Sequence, residues 1–436
     1  MFEGARVYRF AIENLRKWKN DPNRKPLIIQ GARQVGKTWL MKEFGTQEYE
    51  NTVYLNFDSD WRLSSIFDDN LDPIKIVSSI EILFGKKIDP SRTLIIFDEV
   101  QEAPRALTAC KYFCEQAPEY NIVCAGSLLG VALHQGTSFP VGKVNFLKLF
   151  PLTFDEFLLA MGEDNLHQHL KMKDWSAIKL LKTDYISLLK QYFLIGGMPE
   201  VVNSFASKRD FASSRLIQNN ILEAYEQDFS KHAPARVVPK IREVWNSIVS
   251  QLGRENKKFV YGLVREGARA KEYEAAILWL CDCALLHKVN RVTSIKEPLG
   301  AYADQKAFKM FFIDVGLLSC LSGVSQQTIL EGNKLFTEFK GALTEQYVCQ
   351  QLIANGISDV KYYSNEKNTC EVDFVVSLSG EIVPIEVKAE TNLKAKSLKI
   401  THDKFYLSKA LRFSMSDFKE EDWVTNCPLY ALKCVI

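Results

Sequence analysis

The 436 residues contain no CxxC pair and no closely spaced cysteine and histidine quartet; ten cysteines and six histidines are scattered along the chain. That scatter argues against a structural zinc site or a disulfide framework. No uninterrupted apolar run approaches the roughly 18 residues that a membrane-spanning helix needs. The opening MFEGARVYRFAIENLRKWKNDPNRK carries a charge every few positions in place of an apolar leader core. These absences together predict a cytoplasmic protein with reduced thiols and no membrane partner. A net charge of +2, from 55 Lys+Arg against 53 Asp+Glu, gives no global field for a polyanion, so any basic surface must be local. Internal repeats and low-complexity stretches are also missing. What remains, 47% apolar and 25% charged residues, is the composition of an ordinary globular protein. At roughly 100–200 residues per domain the length predicts two to four domains.

The strongest local signal follows the short apolar run Pro26-Leu27-Ile28-Ile29-Gln30. Gly31-Ala32-Arg33-Gln34-Val35-Gly36-Lys37-Thr38 is a complete phosphate-binding loop pattern. Its glycines let backbone N–H groups approach phosphates, Lys37 reaches the β- and γ-phosphates, and the Thr38 hydroxyl is a ligand for Mg²⁺. Trp39 opens the helix that follows, and Gly45 is expected to close it. ATP and Mg²⁺ are the ligands this pattern implies. A carboxylate should end a later buried strand, and Thr93-Leu94-Ile95-Ile96-Phe97-Asp98-Glu99 supplies two. Apolar side chains on both faces mark a central parallel strand. Asp98 is expected to position the metal and Glu99 to act as the base for the attacking water.

Thr52–Asp58 and Asn121–Ser127 read as two further strands. The ordered set resembles the AAA-type P-loop ATPases of the ASCE division, in which a polar residue at the end of the fourth strand senses the γ-phosphate; Ser127 stands at the matching place. Further on, Pro140-Val141-Gly142-Lys143 and Pro151-Leu152-Thr153-Phe154-Asp155-Glu156-Phe157 resemble segments of an uncharacterised bacterial and archaeal AAA-type P-loop ATPase family with a C-terminal PD-(D/E)xK nuclease-like domain. Lys143 stands where that family usually has arginine, which weakens a trans-acting finger because lysine is a point charge without arginine's planar fork.

Phe154 to Lys231 has helical spacing, interrupted at Gly196-Gly197-Met198-Pro199-Glu200, which the resemblance places in a helical lid. Residues 236–297 read as short helices and then a hairpin, an order that resembles a winged helix-turn-helix. This segment holds 12 Lys+Arg against 7 Asp+Glu, a local +5. Arg265, Arg269, Lys271 and Arg291 are its candidate phosphate contacts. A winged helix that only packs against other protein is the open alternative.

At the C-terminal end, Asp373-x12-Glu386-x-Lys388 is the pattern of the PD-(D/E)xK nucleases, and Glu345 fits their first-helix acid. Glu386 and Lys388 alternate on one strand and share a face. Two carboxylates and a lysine on such a site suit Mg²⁺-assisted phosphodiester attack. Strands over Ala410–Met415 and Leu429–Ile436 are expected to complete the sheet. The expected architecture is therefore α/β: a P-loop NTPase core with a parallel sheet (1–153), a helical lid (154–235), a winged helix-turn-helix (236–300) and a restriction-endonuclease-like domain (301–436). The leading functional expectation is an Mg²⁺-dependent ATPase whose nucleotide state controls its C-terminal modules on DNA, on a protein partner or on a second copy of the chain. An ATP-regulated nuclease and a nucleotide-gated scaffold with little turnover are the alternatives.

Overall fold

The computed structural model describes residues 8–126, 140–254, 256–331, 337–366, 369–391 and 393–436. The chain divides into two compact units, one holding Arg9–Phe150 with Asp282–Ala284, the other Pro151–Cys281 and Leu285–Ile436.

The first unit contains α1 (Ala11–Asn20), β1 (Leu27–Gln30), α2 (Lys37–Glu48), β2 (Asn51–Asn56), α3 (Arg62–Ser65), α4 (Pro73–Phe84), β3 (Thr93–Asp98), α5 (Pro104–Gln116), β4 (Asn121–Ala125) and β5 (Asn145–Lys148). Its five strands are all parallel, in the order β2-β3-β4-β1-β5. Every residue of β3 and β4 is buried, as expected for strands with both faces covered. Phe57, Phe67 and Phe97 pack edge-to-face with ring centroids 5.6–5.8 Å apart, at the centre of one core layer. Truncating a ring such as Phe97 would cost about 3–5 kcal/mol. Gly45 does not close α2, contrary to expectation; the helix runs on to Glu48. Gly45 instead gives room for β2, since a Cβ there would lie 2.4 Å from Thr52 Oγ1.

The second unit begins with helices: α6 (Phe154–Ala160), α7 (Asp164–Met172), α8 (Trp175–Leu180), α9 (Lys182–Ile195), α10 (Pro199–Lys208), α11 (Phe211–His232), α12 (Val238–Leu252), α13 (Tyr261–Val264) and α14 (Ala270–Asp282). Strands β6 (Leu286–Val292) and β7 (Ala303–Phe312) follow, then α15 (Val315–Leu321), α16 (Gln326–Glu331) and α17 (Thr337–Ala354). The chain ends with β8 (Lys361–Ser364), β9 (Glu371–Leu378), β10 (Glu381–Val387), α18 (Lys396–Phe405), β11 (Leu411–Ser414), β12 (Lys419–Glu420) and β13 (Thr425–Pro428). The strands form one mixed sheet, ordered β12-β13-β11-β10-β9-β8-β6-β7.

Three expectations need correction. The boundary at 300 falls between β6 and β7, which are antiparallel partners, and the other edge of β6 pairs with β8. The helices of the 236–300 segment therefore lead into a hairpin that belongs to the C-terminal sheet, not to a separate module. The first unit also stops at Phe150 instead of residue 153. Finally, Leu429–Cys434 is a 3-10 helix; the sheet position expected there belongs to β13, parallel to β11.

The Gly-Gly-Met-Pro-Glu and Pro-Leu-Thr-Phe segments meet at a buried polar hub. Asp314, wholly buried, accepts from Gly197 N (2.7 Å), Leu317 N (3.0 Å) and Gln350 Nε2 (3.1 Å). Gly196 has φ +72°, and a Cβ on it would stand 2.0 Å from Asp314 Oδ1. Leu152 N donates to Gly197 O at 2.7 Å, and Phe154 N donates to Gln351 Oε1 at 3.0 Å. Thr153 and Glu156 cap α6 reciprocally. These motif residues satisfy one another's buried polar groups, which explains their spacing without any ligand.

Candidate functional site

The loop Gly31–Gly36 leaves the C-terminal end of β1 and feeds α2. Gly36 adopts φ +91°, a conformation that favours glycine, and α2 has no side-chain cap. By contrast, Asp72 and Asp210 cap α4 and α11 with their carboxylates. Other helices, such as α1 and α9, lack a side-chain cap as well, so the uncapped first turn of α2 is compatible with an anion there without requiring one. A Cβ at Gly31 would approach Leu149 O to 2.2 Å, so this position requires glycine for close backbone packing. Val35 is fully buried beneath the loop, Gln34 and Trp39 are exposed, and the remaining loop residues are partly or wholly buried.

Lys37 is 6% exposed, and its Nζ donates to Gly31 O (3.0 Å) and Ala32 O (2.7 Å). Burial pushes its pKa down to about 8, against the opposing pull of Glu99 and Asp98. Thr38 Oγ1 donates to Asp98 Oδ2 at 2.7 Å, and Tyr54 OH donates to the same oxygen at 2.8 Å. Asp98 Oδ1 accepts the Glu99 amide at 3.0 Å. Glu99 takes a left-handed backbone (φ +54°) immediately after β3, and Gln101 Nε2 donates to its Oε2 at 2.7 Å. The expected residues on β1, α2 and β3 are therefore gathered in one site. Thr38 and Asp98 are hard oxygen donors within 2.7 Å of each other, a pairing that suits Mg²⁺.

Strand β4 lies between β1 and β3, so its C-terminal end opens between the loop and Asp98. Ser127, the expected sensor, lies outside the described residues. Lys143 Nζ pairs with Glu115 Oε1 at 3.0 Å at the surface of its own unit. A further residue escaped the sequence reading: buried Arg9 donates to Val35 O (2.9 Å) and Phe150 O (2.6 Å), tying the loop to the segment after β5. An arginine 22 residues before the loop carries no recognisable sequence signal.

Residues 23–158 match the model of an AAA domain. This segment is an AAA domain. Residues 186–328 and 340–431 match two domains of unknown function, DUF8612 and DUF4143. No curated protein matches the sequence. Among solved structures, the Walker-type ATPase PABY2304 of Pyrococcus abyssi is 14% identical over 72% of this chain and 96% of its own, with a TM-score of 0.44. The Orc1 protein of Aeropyrum pernix in complex with DNA is 14% identical over 72% and 93%, with a TM-score of 0.29. Cdc6p from Pyrobaculum aerophilum is 11% identical over 76% and 96%, with a TM-score of 0.25. No helix among the described residues is long and apolar enough to cross a membrane.

The second unit brings the C-terminal candidates near one another, but with partners the motif does not include. Glu345 on α17 is buried, and its Oε1 accepts from Lys257 Nζ at 2.6 Å. Lys309 on β7, 1% exposed, pairs with Glu371 Oε1 at 2.6 Å and lies 3.7 Å from Glu345 Oε2. Its Nζ also stands 4.9 Å from the Tyr362 ring centroid. Lys388 Nζ pairs with Glu386 Oε1 at 2.6 Å, confirming their shared face, and Asp373 Oδ2 accepts the Val387 amide at 2.7 Å. Burial, with Glu345 and Glu386 nearby, pushes the Asp373 carboxyl well above the usual range. Burial alone would also raise Glu345, but Lys257 and then Lys309 hold it below the ordinary value. Lys309 is raised despite burial by Glu345, Glu371 and Asp373. Among the described residues, no group of three or more His, Cys, Asp or Glu side chains is placed to hold a metal ion.

Proposed function

We propose that the AAA domain binds and hydrolyses ATP with Mg²⁺, and that the second unit is what its nucleotide state controls. The observation that carries the reading is the buried Lys37 beside an uncapped helix N-terminus, with Thr38 and Asp98 in contact and Glu99 next in sequence. Lys37, bonded here to two backbone carbonyls, exchanges them for the β- and γ-phosphate oxygens. The loop amides orient the triphosphate, and Thr38 and Asp98 are the residues that would hold the metal. When bound, Mg²⁺ neutralises charge on the β- and γ-phosphate oxygens. Glu99 accepts a proton from the water that attacks the γ-phosphorus as the bond to the ADP oxygen breaks, giving ADP and inorganic phosphate.

Steady-state phosphate release tests the assignment. Glu99→Gln should keep ATP binding and lower turnover about 100-fold or more, whereas Lys37→Ala should lose binding. Turnover of Glu99→Gln within twofold of wild type would remove Glu99 as the base.

Exposed Arg269 and Lys271, with Arg265 only 3.9 Å from Glu243, support contact with a nucleic-acid backbone. Of the local +5 of residues 236–297, two charges are already matched by Glu345 and Asp304 outside the segment, on Lys257 and Arg291. Arg291 leaves this set, because Asp304 holds it at 2.6 Å. The outward side of α14 also carries Glu272 and Glu274, which repel phosphates, so the reading is limited to backbone contacts near the start of the helix. ATPase activity measured with duplex DNA over a salt series checks it: stimulation should fade as salt rises, and stimulation that is absent or indifferent to salt would sink it.

A further inference from the structure

The spacing Asp373-x12-Glu386-x-Lys388 with Glu345 implies a divalent cation, and the surroundings of these carboxylates test that implication. Glu345 Oε1 is taken by Lys257 at 2.6 Å, and Lys309 stands 3.7 Å from the other oxygen. Lys309 at the same time holds Glu371, the residue two positions before Asp373 and on the same strand face. Lys388 occupies Glu386 Oε1, and the backbone of Val387 occupies Asp373 Oδ2. Four carboxylates thus face three ammonium groups, and the two lysines that do not belong to the motif are 7% and 1% exposed. Glu345 Oε2 has no hydrogen-bond partner, yet an ion bound to it would sit close to the Lys309 ammonium. Like charge in a desolvated site opposes such an ion strongly. The residues present do not fit a divalent metal.

We propose that Lys257 and Lys309 are built-in counter-cations of this cluster and take the place a divalent ion would hold. Lys257 comes from the connection between α12 and α13, and Lys309 from β7. The helical segment before the sheet and the sheet itself therefore each supply one of the two charges that make the acidic cluster independent of metal. The four motif residues keep their arrangement as an ion-pair core, and the sheet face they occupy carries no metal-dependent phosphodiester cleavage.

Mn²⁺ titration of the nucleotide-free full chain, followed by electron paramagnetic resonance, tests the proposal. Any Mn²⁺ taken up at the P-loop is common to every variant, so the reading is the difference that depends on Glu345 and Glu386. The wild type and Glu345→Gln should bind the same number of ions. Lys257→Met combined with Lys309→Gln, which removes both counter-cations, should gain one ion, at least tenfold tighter than any such site in the wild type, and lose it again when Glu386→Gln is added. Lys257→Gln, which keeps a polar group on Glu345, serves where Lys257→Met does not fold, with circular dichroism reporting the fold. The proposal is overturned if the wild type holds an Mn²⁺ that Glu345→Gln removes, or if folded variants lacking both Lys257 and Lys309 gain no ion. Mn²⁺-dependent DNA cleavage by the wild type that disappears in Asp373→Asn would overturn it equally.

Discussion

Lys37 and Lys309 are both buried lysines, and their surroundings are opposite. Lys37 faces two backbone carbonyls, burial outweighs the opposing pull of the Glu99 and Asp98 carboxylates, and its pKa falls to about 8. Lys309 faces Glu371 and Glu345 and is raised above the ordinary lysine value. A buried ammonium whose field is not balanced within the protein is poised for an anionic ligand. One already balanced by carboxylates is part of the framework. The same residue type thus marks the candidate ligand site of the AAA domain and the proposed self-neutralised core of the second unit.

Removing each lysine should separate the two cases. Lys309→Met leaves part-exposed Glu371 without its ammonium partner and buried Glu345 with Lys257 alone, and should destabilise the chain by about 3 kcal/mol. Chemical denaturation followed through the second unit's tryptophans reads this effect, and adding Glu371→Gln should recover part of it. A loss below about 1 kcal/mol would mean that the cluster does not hold the fold.

Lys37 should behave in the reverse sense. Its folded pKa lies below the unfolded value, so between pH 8 and 10.5 the unfolded chain binds more protons and stability rises with pH. The gain for the nucleotide-free protein should reach about 3 kcal/mol across that window and be missing in Lys37→Met. A flat difference between the two proteins over this range would contradict the depressed value.

Arg9→Met removes two charge-assisted bonds to backbone carbonyls and should cost roughly 2 kcal/mol. It should also weaken binding of a fluorescent ATP analogue several-fold, because the carbonyl of Val35 in the loop loses its tie. The smallest effect belongs to Lys143→Ala: an exposed pair with Glu115 is screened by water, so melting temperature and ATP turnover should stay within error. A large fall in turnover at high protein concentration would instead restore Lys143 as a residue acting on a neighbouring copy.

The two sites differed as much in legibility. Gly31 to Thr38 is contiguous, and each residue type is demanded by local backbone geometry, so the phosphate loop was readable directly. Asp98 and Glu99 were readable because a fully apolar strand ending in acids is itself a pattern. The C-terminal acids and Lys388 were readable too, but their meaning was not, since Lys257 lies 88 residues from Glu345 and on another element. Arg9 was invisible for the same reason. The boundary at 300 failed because hairpin spacing does not reveal which further strand will pair with its free edge.

The amino-acid order by itself determined the elements whose requirements are local: the loop, its helix, the buried parallel strands and the glycine that a positive φ demands at position 36. Tertiary structure alone decided which charges meet. Hydrogen bonds and ion pairs between distant segments depend on strand order and helix packing, which bring Lys257, Lys309 and Glu371 to Glu345 and leave Lys37 facing carbonyls. Coulombic balance is a property of neighbours in space, and neighbours in space are set by the fold.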